Sequence, residues 1–74
     1  MSGEQAVILV YSTGHAVRAE KLLQEEGIPS KLVPVPRHLS SDCGVCVRIS
    51  LADADSARRI LDAASMEVQG IHAI

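Results

Sequence analysis

The sequence predicts an α+β, ferredoxin-like fold: a β-α-β-β-α-β order with a four-stranded antiparallel sheet and two helices on one face of it. Three observations carry the prediction. Two segments space their apolar residues as an amphipathic helix does, and each follows a run with strand character. Between the two helices the chain holds two strand-like stretches joined by a polar loop. Right-handed crossovers then make the first and second strands parallel and insert the third antiparallel between them.

The elements follow in order. Residues 1–5 read as a flexible polar lead, and the whole chain, 1–74, reads as one domain. Ala6 to Tyr11 is a continuous apolar, β-branched run, which suits a strand in the middle of a sheet. Ser12-Thr13-Gly14 offers capping hydroxyls to a helix whose apolar residues are Ala16, Ala19, Leu22 and Leu23. Gly27 stops that helix and Pro29 prevents its resumption. Lys31 to Val35 forms the second strand, with Pro34 placing it at a sheet edge because proline cannot donate to a ladder. Pro36 to Gly44 has no period and reads as a loop. Val45, Val47, Ile49 and Leu51 alternate with Cys46, Arg48 and Ser50, giving a strand with one buried and one polar face. Asp53 is placed to cap the second helix, which turns Ala57, Ile60, Leu61 and Ala64 inward. Glu67 to Ile74 is a weaker last strand interrupted by Gly70.

Composition narrows the function. The 74 residues include no Trp, no Phe and a single aromatic, Tyr11, so the core is aliphatic and thin. A multi-step active site deep inside one subunit is not expected on that ground, and a homodimer would gain from covering a partly apolar sheet face. Lys plus Arg number 7 against Asp plus Glu 9, for a net charge of -2, and no basic stripe is interleaved with aromatics. Nucleic acid is therefore not the expected partner. The apolar run 6–11 is too short to span a membrane or to form a signal-peptide core, and a cytoplasmic setting is expected.

The chemistry-bearing residues are Cys43 and Cys46, in a C-x-x-C spacing that in a reducing compartment points away from a structural disulfide. The topology puts the Ser12–His15 turn and the 36–44 loop at the same end of the sheet. Cys43 then lies near the amino terminus of the first helix, with His15, Arg37 and His38 as neighbours. A helix amino terminus and cationic groups stabilise a thiolate, so Cys43 reads as a reactive thiol on an accessible loop, with Gly44 leaving the sulfur uncrowded. Cys46 falls on the more polar face of the third strand. The C-x-x-C leads into a strand, unlike the thioredoxin arrangement, in which it opens a helix. One Cys pair without nearby partners falls short of four zinc ligands, so no metal and no other cofactor is expected. Ser12, Thr13, Gly14 and His15 offer an anion site where helix N–H groups and hydroxyls converge. His15 in the first helical turn is read as a neutral hydrogen-bonding group.

From about the first strand to the third the sequence resembles the selenium/sulfur carrier protein-like family, small bacterial proteins. The resemblance rests on Ser12-Thr13-Gly14-His15-Ala16, on Gly27-Ile28-Pro29, on Pro34-Val35-Pro36-Arg37 and on Ser40-Ser41-Asp42-Cys43-Gly44. It implies that Cys43 carries a persulfide or selenide, with Arg37, Ser40, Ser41 and Gly44 in the matching frame. It also implies a donor protein such as a cysteine desulfurase and an acceptor still to be named. Cys46 lies outside the family motif. Two other readings stay open: a ligand-sensing or protein-binding module, since this fold hosts many roles, and a thiol-disulfide redox protein in which Cys46 resolves a Cys43 adduct.

Overall fold

A computed structural model describes residues 4–39 and 43–74. Along the chain come β1 (Gln5–Leu9), α1 (Thr13–Glu25), β2 (Lys31–Pro34), β3 (Val45–Ser50), a 3-10 turn (Leu51–Asp53), α2 (Ala54–Ala63) and β4 (Gly70–Ala73). The strands form one antiparallel sheet in the order β2-β3-β1-β4. This is the α+β, ferredoxin-like order that the sequence predicts, with β3 between β2 and β1.

Apolar continuity places β1 at the centre of the sheet. Ala6, Val7, Ile8, Leu9 and Val10 are all buried, because β1 is covered on both faces and paired on both edges. On one face Ala6, Ile8 and Val10 join Val47 and Ile49 of β3, and the helices close over them with Ala16, Ala19, Leu23, Ala57 and Leu61. On the other face Val7, Leu9 and Cys46 form a smaller cluster under Val33, Val35 and Leu39. That face carries no helix.

Both helix ends are resolved by local bonding. Ser12 caps α1 by accepting the His15 N–H at 3.2 Å. Gly27 adopts φ +84°, and two bonds, Gly27 N–H to Gln24 O at 3.0 Å and Ile28 N–H to Leu23 O at 2.9 Å, complete a Schellman motif. The same motif ends α2, where Ser65 N–H donates to Asp62 O and Met66 N–H to Leu61 O. There the left-handed position, φ 57°, is held by Ser65 rather than by glycine.

Several boundaries differ from the sequence reading, and Gln5, read as part of the flexible lead, is the first residue of β1 because it pairs with Ser50 of β3. Asp53 sits at the start of α2 but makes no side-chain capping bond; Ser50 instead accepts the Ala52 N–H at 3.3 Å and starts the 3-10 turn, which Leu51 enters in place of extending β3. β1 ends at Leu9, and β4 begins at Gly70 instead of Glu67. The reversal at Ser65 buries Met66 first, so residues 67–69 are used in returning the chain to β1, where Gln69 N–H reaches Leu9 O at 2.7 Å. β2 is an edge strand with Pro34 opposite Val45, as its missing N–H demands.

Candidate functional site

The β1–α1 turn and the β2–β3 loop meet at one end of the sheet. The topology requires this, and the contact that records it joins Thr13 Oγ1 to Cys43 Sγ at 3.6 Å. Thr13 is the first residue of α1. The Ser12 carbonyl takes the Ala16 N–H at 3.1 Å and the Ser12 hydroxyl takes the His15 N–H. The N–H groups of Thr13 and Gly14, by the geometry of any helix start, have no acceptor within the helix. Cys43 thus lies where the α1 dipole favours negative charge.

The sulfur is not on an open loop. Cys43 is only 7% exposed and belongs to the main core beneath the helices. The sequence reading of an accessible sulfur is corrected here: a nine-residue polar loop looks open in sequence, but its end folds inward against α1. Gly44 beside it is exposed, and a β-carbon there would meet open space, so relief of crowding is not what it supplies.

Cys46 is fully buried on the opposite side of the sheet. The face that strand alternation marks as polar is apolar at this position, because Leu39 folds back from the loop and Val33 and Val35 close the other side. The Cys46 thiol donates to the Pro34 carbonyl at 3.8 Å. Burial, and then the proximity of Cys43, push its pKa above the ordinary thiol value. Both cysteines stand as thiols.

The remaining sequence candidates are placed as follows. His15 is exposed, and its Nδ1 lies 2.8 Å from Ser12 Oγ. It is held by its own cap rather than turned to the sulfur. Arg37 and His38 are exposed in a turn closed by Leu39 N–H to Pro36 O at 3.0 Å. Ser40 and Ser41 lie outside the described residues. Among the described residues, no group of three or more His, Cys, Asp and Glu side chains is arranged to hold a metal ion, and no helix is long and apolar enough to cross a membrane.

Two features escaped the sequence reading. Thr13 was grouped with an anion site, yet its hydroxyl is the neighbour of Cys43; shared placement at one end of the sheet was the available signal. The second is the cover over Cys46, signalled only by a lone Leu39 in a polar loop.

A family model described as "Putative Se/S carrier protein-like" matches residues 5–73, nearly the whole chain. No curated protein matches. No solved structure matches either. With β1 through β4 all inside the matched span, the chain belongs to the Se/S carrier protein-like family.

Proposed function

We propose that the protein is a sulfur or selenium carrier and that Cys43 is the carrying thiol. The observation supporting this choice is the position of Cys43 at the amino terminus of α1, 3.6 Å from the Thr13 hydroxyl, while Cys46 is sealed under the opposite face. In the forward step the Cys43 thiolate attacks the terminal sulfur of a donor persulfide. A sulfur–sulfur bond forms at Cys43, the donor's own sulfur–sulfur bond breaks, and the donor cysteine leaves as a thiolate. The terminal sulfur arrives as a persulfide anion, and the α1 amino terminus and Thr13 offer it hydrogen-bond donors. Transfer to an acceptor thiolate repeats the exchange in the other direction, with no net oxidation and no cofactor.

The geometry weighs against the redox alternative. A resolving thiol has to reach the Cys43 adduct, and Cys46 is held in β3 between β1 and β2, bonded to Pro34 O on the other side of the sheet. Burial of Cys43 adds a requirement to the carrier reading: loading needs a local opening that uncovers Sγ. A donor protein that opens the loop as it docks would meet it and would keep the loaded persulfide from stray thiols.

Intact mass spectrometry after incubation with a cysteine desulfurase and cysteine, or selenocysteine, tests the proposal. One added sulfur or selenium mapped to Cys43, retained in Cys46→Ala and absent in Cys43→Ser, is the expected result. An unmodified protein after several donors, or an adduct on Cys46, would overturn it.

A further inference from the structure

We propose that the helix-free face of the sheet is a docking surface for an acidic segment of a protein partner. The inference goes beyond the carrier reading and stands whether or not Cys43 carries sulfur. It starts from where the charges fall. The only ionisable side chains on the strands, apart from the Cys46 thiol, are Lys31 on β2, Arg48 on β3 and His72 on β4. Lys31 is opposite Arg48, Arg48 opposite Val7, and Val7 opposite His72, so the three basic side chains form one row across all four strands. Val7 belongs to the helix-free cluster, and residues opposite one another share a face. The row therefore lies on the side away from the helices.

Asp42 is outside the described residues, and the described acids lie elsewhere. Glu20 and Glu25 are on α1 and Glu26 at its end, while Asp53, Asp55 and Asp62 accompany α2 and Glu67 follows it. Glu4 is the exception: it precedes β1 and lines an open cleft with Lys31 and Arg48 at one end of the row. A chain whose net charge is -2 with histidines neutral thus sets two cations, Lys31 and Arg48, against the single described acid Glu4 at this sheet face. Lys31 and Arg48 stand directly opposite each other, an arrangement that repels within the isolated protein and that carboxylates from outside would relieve.

Local packing fixes the row. A β-carbon on Gly70 would come within 2.9 Å of His72 Nε2, so the imidazole lies across Gly70 on this face and depends on the missing side chain. At the other side Leu39 anchors the turn bearing exposed Arg37 and His38, which continues the basic surface toward the loop of Cys43. The row spans three strand spacings, about 14 Å, roughly the length of four extended residues. A short run of Glu and Asp residues matches it in charge and in reach.

Protein is favoured over nucleic acid because no strand residue is Phe, Tyr or Trp, and a single strand of nucleic acid needs broad stacking platforms as well as charge. Tyr11, the chain's aromatic, lines a different cleft with Arg58 and Asp62. A membrane is disfavoured because Val7, Leu9 and Cys46 on this face are buried and offer nothing to insert.

The test titrates the full-length, 15N-labelled protein with a Glu-rich peptide of fixed sequence, and in parallel with its Gln counterpart, a single-stranded oligonucleotide and phosphatidylserine-containing vesicles. Amide shifts confined to β2, β3 and β4 and weakening as salt is raised are expected with the Glu-rich peptide alone. K31Q/R48Q should weaken binding roughly tenfold, and K31Q alone, an exposed change at the sheet edge, roughly threefold. R58Q/R59Q removes the same two charges from α2 and should change affinity by less than about twofold. No binding, shifts on the helices, equal losses in the two double variants, or tighter binding of the oligonucleotide or vesicle would each overturn the proposal.

Discussion

Alkylation of the two thiols in the native protein should differ by a factor of at least about 100. Cys46 is fully buried in β3, with Leu9 on one side in the ladder and Val33 on the other. Reaching its sulfur through the sheet means parting β2 from β3, an opening close to global unfolding. For 74 residues, global stability is on the order of 4–11 kcal/mol, so the reactive fraction is roughly 10⁻³ to 10⁻⁸. Its raised pKa lowers the thiolate population further at any pH below that value. Cys43 sits in a loop outside the ladder, with 7% exposure, and a smaller opening frees it. An opening cheaper by about 3 kcal/mol gives the hundredfold ratio. The assay is iodoacetamide labelling at pH 7, with Cys43→Ser and Cys46→Ala assigning each phase by mass spectrometry. In denaturant the two rates should converge within about threefold, since structure no longer separates them. Equal native rates, or faster labelling of Cys46, would refute the assignment of the two thiols to different environments.

Two further predictions concern stability. Cys46 has a folded-state pKa above its unfolded value, and its charged form is the deprotonated one, so the folded state holds the proton more tightly. Stability should be unaffected below the unfolded thiol pKa of about 8.5, fall as pH rises beyond it, and lose that slope in Cys46→Ala; urea midpoints between pH 7 and 10.5 measure it, and a rising midpoint would contradict the reasoning. Ser65→Gly relieves a left-handed serine at φ 57° in the Schellman turn after α2. After the greater entropy of an unfolded glycine is subtracted, it should stabilise the protein by about 0.5–1 kcal/mol and raise Tm by about 3–6 °C; unchanged or lower melting by circular dichroism would count against it.

The parts of the fold legible in the sequence are those set by neighbouring residues. The unbroken run after Gln5 marks β1 as central, Gly27 marks the end of α1, and Pro34 marks the edge of the sheet. Each acts through its own backbone or side chain, so no distant information is needed. The meeting of the β1–α1 turn with the loop of Cys43 was legible too, because strand order alone brings them together, although the contact of Thr13 itself with the sulfur was not. What stayed hidden depends on segments folding over one another. Alternation with Arg48 and Ser50 marks Cys46 as facing a polar surface, but Leu39, seven residues earlier, covers it. The burial of Cys43 is hidden for the same reason. Even the local failure at Asp53 has this character, since the 3-10 turn moves the cap to Ser50.

The central place of β1 also orders events in time. Its two neighbours are β3 and β4, and β4, residues 70–73, is the last element in the chain. As synthesis proceeds, β1 emerges first and waits with one edge unpaired until those residues exist. The bond from Ile74 N–H to Gln5 O joins the two ends of the described chain. Pairings this distant in sequence slow folding relative to local ones. The loop holding Cys43 and the turn at Thr13 are anchored on the same sheet, so a donor meeting a nascent chain would find both thiols in an unfinished scaffold. Until β4 pairs with β1, neither thiol has the burial that the completed fold gives it.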